Sequence, residues 1–183
     1  IQSMANVSTM DTEASVRQAI RMIEAGAEYV RFTAQGEREA RNLGEIRKEL
    51  NAQGYTTPLV ADIHFNPRAA DAAAEVVEKV RINPGNYVDK VKTFDLLEYT
   101  DEEYAAELQK IRDRFVPFLD ICKKHGTAIR IGVNHGSLSD RIMSRYGDTP
   151  EGMVASCMEF LRICRDENFA DVVISIKASN TVV

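Results

Sequence analysis

Residues 58–65, PLVADIHF, begin as an apolar run and end with polar and apolar side chains in alternation. Strands that are buried on both faces are rich in Val, Ile and Leu, and such strands are typical of parallel sheets. Asp62 and His64 stand two positions apart, which places both side chains on one face of the strand. We therefore predict a buried parallel strand at 58–65 whose carboxyl end carries a polar pair.

Five further segments are rich in Val and Ile or are bounded by Gly, Pro or Asn. These features and the lengths of the segments are typical of strands. The additional predicted strands lie at 1–4, 29–33, 80–83, 128–134 and 171–177.

Helical patterns occupy the gaps between the predicted strands. Apolar residues recur at helical spacing, and the helix starts carry capping signals at Thr12, at Asn66-Pro67 and at Thr100 with Glu103. The part of the long segment 87–127 that precedes Thr100 contains several large apolar residues, so we expect an ordered excursion there. The predicted helices cover 12–26, 37–53, 66–77, 100–126 and 149–168.

The alternation of strands and helices predicts a parallel sheet with helices outside it. Six strands fit either an open doubly wound sheet or most of a TIM (β/α)8 barrel. No G-x-G-x-x-G motif follows the first strand, which argues against a dinucleotide-binding fold. A complete barrel usually takes about 250 residues, and this chain has 183. We therefore predict that residues 1–183 form an incomplete TIM barrel with six of its eight strands.

Composition excludes several classes of function. The 23 basic and 28 acidic residues give a net charge of −5, which argues against a nucleic-acid partner. No apolar run approaches the roughly 18 residues of a membrane-spanning helix, so no membrane partner is expected. Cys122, Cys157 and Cys164 lack the tight spacing of metal or iron–sulfur ligands, and we expect them to be buried thiols in a reducing compartment.

Polar residues recur with a period of two near the carboxyl ends of the predicted strands. In a parallel barrel, these strand ends form the mouth in which active sites lie. We therefore expect the polar residues to share one site, although the sequence alone singles out no catalytic residue and no metal ligand. The candidate binding residues are Arg31, Asp62, His64, Arg81, Asn83, Arg130, Asn134 and Lys177.

Four of these candidates are cations and one is an acid, although the chain as a whole is acidic. A single arginine at a strand end is more often a salt-bridge partner than a ligand-binding residue. Four cations in one mouth repel each other unless an anion joins them, and guanidinium groups suit phosphate. We predict a polyanionic ligand, most simply a diphosphate, with Asp62 and His64 holding a hydroxyl or transferring a proton.

Two other functions fit the same residues. Lys177 ends the last predicted strand, where it fits the nucleophile of a Schiff-base aldolase if its neighbours make the amine reactive. A non-catalytic module that binds a phosphorylated ligand would use the same cations. The spacing of the residues leaves both alternatives open.

Several motifs resemble the 4-hydroxy-3-methylbut-2-en-1-yl diphosphate synthase family, the iron–sulfur oxidoreductases of the methylerythritol phosphate route to isoprenoids. The similarity runs through the chain in order, at QSM (2–4), PLVADIHF (58–65), RINPGN (81–86), RIGVNHGSL (130–138) and KAS (177–179). Three further features are similar to the long form of the family, which is found in plastids and some bacteria: RFTAQG (31–36), GSLSDR (136–141) and the long segment 87–127.

The resemblance implies a barrel that binds 2-C-methyl-D-erythritol 2,4-cyclodiphosphate for reductive opening to 4-hydroxy-3-methylbut-2-enyl diphosphate. The residues that match the family's pocket lining are Asp62, His64, Asn83 and Asn134. The residues that match the family's diphosphate-binding cations are Arg31, Arg81, Arg130 and Lys177.

The resemblance also implies parts that are not in this sequence. The family's last two barrel strands and a C-terminal domain with a [4Fe–4S] cluster, held by three cysteines and a glutamate, would follow Val183. None of the three cysteines here matches a cluster ligand. Flavodoxin or ferredoxin would deliver the electrons to a homodimer in the bacterial cytoplasm or the plastid stroma. We therefore expect residues 1–183 alone to have no synthase activity.

Overall fold

The computed structural model describes residues 1–88 and 98–180, which form six strands and six helices. Two short 3-10 turns, Pro84–Asn86 and His135–Ser137, follow the fourth and fifth strands. In chain order the elements are β1 (Gln2–Met4), α1 (Thr12–Glu24), β2 (Tyr29–Ala34), α2 (Glu37–Ala52), β3 (Leu59–Ile63), α3 (Pro67–Ala74), β4 (Lys79–Ile82), α4 (Asp101–His125), β5 (Ala128–Asn134), α5 (Asp140–Tyr146), α6 (Pro150–Asp166) and β6 (Val172–Lys177).

The strands form one parallel sheet in the order β1-β2-β3-β4-β5-β6, so every strand pairs with its neighbours in the chain. A doubly wound sheet contains a point at which the strand order reverses, whereas a barrel adds its strands in sequence. The order confirms the predicted incomplete TIM barrel and excludes the doubly wound alternative.

The two faces of the sheet differ in chemistry because side chains alternate along each strand. One face carries apolar residues such as Phe32, Ile63 and Ile131, which are fully buried in the core beneath the helices. The opposite, inward face carries charged residues, and the register aligns Asp62 of β3 with Arg81 of β4. The fold therefore separates an apolar layer under the helices from a charged barrel interior.

Several helix boundaries differ from the predicted ones. Asp11, and not Thr12, caps α1, because its carboxylate accepts from the amide of Ala14 while the Thr12 hydroxyl accepts from Asn42 of α2. The helix α3 ends at Ala74 and not at 77, since the amides of both following valines bond to the Ala73 carbonyl. The last helix ends at Asp166, and the short helix α5 was not predicted.

The long connection after β4 is anchored at both described ends. Tyr87 is buried, and its ring lies 5.8 Å from that of Phe115 and 6.0 Å from that of Phe160, centroid to centroid. The predicted capping box of α4 is confirmed, with Thr100 and Glu103 bonding to each other's amides. The core of the predicted excursion, residues 89–97, lies outside the described residues.

No helix within residues 1–88 and 98–180 combines the length and the apolar character that crossing a bilayer requires.

Candidate functional site

Asp62 is the centre of the charged interior. It stands near the carboxyl end of β3 and is 1% exposed. Arg31 of β2 donates to its Oδ2 through Nη2 and, at 3.0 Å, through Nε, and Arg81 of β4 donates to Oδ1 through Nη1 at 3.0 Å. The Nε2 atom of His64 lies 3.5 Å from Oδ2. Two arginines from the neighbouring strands and one histidine just beyond β3 thus converge on one carboxylate.

The carboxylate of Asp62 is held in its charged form. Burial acts to raise its pKa, but hydrogen bonding from Arg31 and the positive charges of Arg81, Arg31 and His64 outweigh burial, so that the pKa of Asp62 lies below its ordinary value. Asp62 is therefore suited to orienting the two arginines and poorly suited to exchanging a proton near neutral pH.

The Arg81 side chain lies across the backbone of β5. Its Nη2 donates to the carbonyl of Gly132 at 3.0 Å. A Cβ atom at residue 132 would lie 2.5 Å from Nε of Arg81, closer than real Cβ contacts allow. Glycine at this position therefore leaves the space that the buried guanidinium occupies.

Arg130 of β5 has a different environment. Its Nε donates to the hydroxyl of Ser175 on β6 at 3.0 Å, and the described residues place no carboxylate within ion-pair distance of it. Burial, followed by the charges of Arg31 and Arg81, lowers the pKa of the Arg130 guanidinium, and the charge of Asp62 opposes this change. Arg130 therefore brings a positive charge to the mouth that its neighbours do not neutralise.

Asn83 precedes the turn that follows β4, and Asn134 is the last residue of β5, next to the turn that follows it. The Asn83 side chain donates to Ser137 Oγ at 2.8 Å, and that hydroxyl donates to the Asn134 carbonyl at 3.2 Å. A Cβ atom at Gly85 would lie 1.7 Å from the Ser137 carbonyl oxygen, so only glycine allows the two turns to approach this closely. The turns form one connected rim beside the arginines.

The structure thus brings most of the predicted residues together. Arg31, Asp62, His64 and Arg81 are in direct contact, and Arg130 interacts electrostatically with this group. Lys177 is more remote: it is exposed at the end of the edge strand β6, where the register pairs it with Asn134. Its contact with a shared ligand stays a prediction.

Sequence reasoning did not single out Lys79 and Tyr29, which lie on the inward face one step below Arg81 and Arg31. The ammonium of Lys79 lies 4.2 Å from the centroid of the Tyr29 ring. Burial, and then the charge of Arg130, lowers the pKa of Lys79. Their period-two spacing from the two arginines was a usable signal, but both stand at the amino ends of their strands, away from the expected mouth.

The cysteines do not suit an iron–sulfur cluster. Cys122 on α4 and Cys157 and Cys164 on α6 are buried in the helical layer, and burial raises the pKa of Cys122 and of Cys164 to about 12. Cluster ligands are thiolates, which such burial disfavours. In the part of the chain that the structure describes, no group of His, Cys, Asp or Glu side chains is arranged to hold a metal ion.

The chain has close relatives among curated proteins. Over all 183 residues it is 92% identical to the 4-hydroxy-3-methylbut-2-en-1-yl diphosphate synthase (flavodoxin) of Parabacteroides distasonis, of which it covers 30%. It is 61% identical over the same length to the protein of that name from Porphyromonas gingivalis, of which it covers 31%. The chain therefore spans less than a third of the length of these relatives.

A solved structure and a domain family agree with the observed fold. A truncated form of 3-deoxy-D-arabino-heptulosonate 7-phosphate synthase from Thermotoga maritima matches with a TM-score of 0.54 and 14% identity, over 98% of this chain and 53% of that one. At this identity the likeness concerns the fold alone. Residues 1–183 match the GcpE TIM-barrel domain throughout, and the chain therefore belongs to the GcpE family.

Proposed function

We propose that this chain is the substrate-binding barrel of an oxidoreductase of isoprenoid biosynthesis. The enzyme reductively opens 2-C-methyl-D-erythritol 2,4-cyclodiphosphate to 4-hydroxy-3-methylbut-2-enyl diphosphate. The observation that carries the proposal is the surplus of guanidinium groups at the mouth, where Arg31, Arg81 and Arg130 face a single carboxylate. The names of the close relatives support the product and the use of flavodoxin.

The diphosphate group would neutralise this surplus. Among the described residues, the Arg130 side chain uses only Nε, and Arg31 and Arg81 share the Asp62 carboxylate, so the three side chains retain N–H groups for phosphoryl oxygens. Asn83 and Asn134 would contribute neutral hydrogen bonds at the rim. Lys177 would add a point charge from the edge strand.

His64 would carry any proton that the reaction needs at this end of the site. It lies at the mouth with its side chain 37% exposed, and it is held near Asp62. Asp62 would fix the ring and the two arginines through its permanent negative charge. The sequence did not distinguish the roles of the two residues. In this proposal the Asp62 carboxylate orients the arginines and the imidazole, and the His64 imidazole exchanges the proton.

The reaction requires two electrons from outside the barrel. A [4Fe–4S] cluster would supply them when it is bound, and flavodoxin, named in the relatives, would be the donor. The buried cysteines described above do not fit as its ligands, so the cluster domain and the remaining barrel strands would be supplied by a further part of the protein. We propose a homodimer in the bacterial cytoplasm, and no synthase activity for residues 1–183 alone.

The test uses the full-length protein with reduced flavodoxin and the cyclodiphosphate. We expect turnover, a large rise in KM for Arg31→Met, and no change for Arg162→Met, which removes an exposed guanidinium from α6. Absence of turnover in a cluster-loaded protein would contradict the proposal.

The aldolase alternative has its own test. Lys177 ends β6, at the position that the sequence assigns to a Schiff-base nucleophile. Borohydride trapping of a carbonyl substrate on Lys177 would therefore favour the aldolase over the synthase.

A further inference from the structure

We propose that Ser175 is a positioning residue that presents the Arg130 guanidinium as the first contact for the diphosphate. This inference rests on the proposed function and assigns a role to a side chain outside the predicted site. It follows from the hydrogen bonds of the three arginines at the mouth, and from the two terminal guanidinium nitrogens of Arg130 that the bond to Ser175 leaves available.

The three arginines are not equivalent before a ligand arrives. Arg31 and Arg81 both bond to the buried carboxylate of Asp62, and Arg81 also bonds to the Gly132 carbonyl. Within the described chain, the Arg130 side chain makes one hydrogen bond, from Nε to Ser175 Oγ at 3.0 Å. An incoming anion therefore meets the least neutralised charge at Arg130.

The position of Ser175 suits this role. The register places it beside Gly132 on the inward face of β6, so its hydroxyl faces the interior from a regular strand. A bond at Nε restrains rotation of the guanidinium about its stem while both terminal nitrogens stay available. Those two nitrogens form the edge that binds two phosphoryl oxygens in parallel.

A hydroxyl also differs from a carboxylate at this position. It accepts from Arg130 without cancelling the positive charge, and it keeps its own O–H to donate to a phosphoryl oxygen. A carboxylate here would neutralise Arg130, whereas the single charge of Asp62 is divided between Arg31 and Arg81. Ser175 therefore fixes the geometry of the cation and preserves the electrostatic attraction for the anion.

The experiment compares Ser175→Ala and Ser175→Thr in the full-length protein, with inorganic diphosphate as the probe in calorimetry. One hydrogen bond to a charged group corresponds to about a tenfold change in affinity. We expect Ser175→Ala to weaken diphosphate binding about tenfold, to raise KM by a similar factor and to leave kcat and Tm unchanged. Threonine keeps the hydroxyl and should restore binding.

The control is Ser3→Ala on β1, the strand at the opposite edge of the sheet. Ser3 pairs with the outward-facing Val30, so this substitution should change neither diphosphate binding nor KM.

The outcomes separate this inference from the proposed function. If the wild-type protein binds diphosphate and turns over, but Ser175→Ala binds equally well, the role of Ser175 is wrong and the synthase proposal stands. If Ser175→Ala lowers Tm and threonine does not restore binding, the serine is only a packing residue. If the wild-type protein does not bind diphosphate, both proposals are wrong.

Discussion

The barrel mouth and the outer helical layer both contain buried charges, but only one of the two groups is balanced. In the outer layer, Arg141 of α5 donates to Glu159 of α6 at 2.5 Å, and the hydroxyl of Tyr104 on α4 donates to the same carboxylate oxygen. The Arg141 guanidinium also lies 4.8 Å from the Tyr104 ring centroid. Among the residues that the structure describes, this ion pair of one cation and one acid joins three helices.

The mouth contains the opposite arrangement, because it holds three arginines and one buried acid, and that acid pairs with only two of them. A balanced buried pair needs nothing further and contributes mainly to fixing the packing of its elements. A group with surplus charge of one sign is stable only while solvent or a ligand compensates it. The difference indicates that the outer cluster is structural and that the mouth is built to receive an anion.

Removing the acid from each group is expected to have the largest effect on the free energy of unfolding. Both Asp62→Asn and Glu159→Gln remove the negative charge that faces a buried guanidinium, which should lower the free energy of unfolding by about 3 to 5 kcal/mol. Urea denaturation of the full-length protein measures both losses. Saturating inorganic diphosphate should stabilise Asp62→Asn more than the wild type, because the anion replaces the missing charge.

Glu159→Gln should respond to diphosphate only as the wild type does. An equal response of the two variants would show that the mouth and the outer cluster do not differ in the way that their charge balance indicates.

A smaller effect is expected from filling the space beside Arg81. Gly132→Ala places a Cβ atom 2.5 Å from Nε of that arginine. Overpacking of this kind typically costs about 1 to 3 kcal/mol, and the displaced guanidinium should bind diphosphate more weakly. The matched control is Gly136→Ala, where no heavy atom lies within 4 Å of the added Cβ. Calorimetry and thermal unfolding provide the two measurements, and unchanged binding in Gly132→Ala would contradict the role assigned to Arg81.

The smallest effect on stability is expected where the surplus charge itself is removed. Arg130→Met keeps an apolar stem and removes repulsion from Arg31 and Arg81, so the free energy of unfolding should not fall below that of the wild type. Diphosphate binding should nevertheless fall at least about tenfold, since each lost charged contact corresponds to that factor. A marked loss of stability would show that Arg130 is a structural ion-pair residue.

Much of the fold was accessible from the sequence because strand alternation and helix capping are local. The bounds of β5 were predicted as observed, and β3 was predicted too long because strand ends depend on pairing with the short strand β4. The helix α5 was missed, since its seven residues contain too few turns to establish a period. Its Ser139 cap is a signal that sequence reasoning did not use.

The sequence predicted which positions share the candidate site, but it did not predict which of their side chains bond to each other. The period-two spacing correctly grouped Asp62 with the arginines of the neighbouring strands. It did not indicate that Asp62 bonds to Arg31 and Arg81 and leaves Arg130 to Ser175, because these choices depend on register and side-chain geometry across five strands. The roles of these residues in ligand binding stay predictions.

The alignment of Asp62 with Arg81, and of Arg81 with Arg130, also bears on how the chain reaches its native state. A slip of β4 by a single position would turn Arg81 toward the apolar helical layer and expose Val80 and Ile82 inside the barrel. Such misaligned intermediates would bury an unpaired charge, which is strongly unfavourable. The row of charges that suits an anion therefore also disfavours incorrect strand pairing during folding.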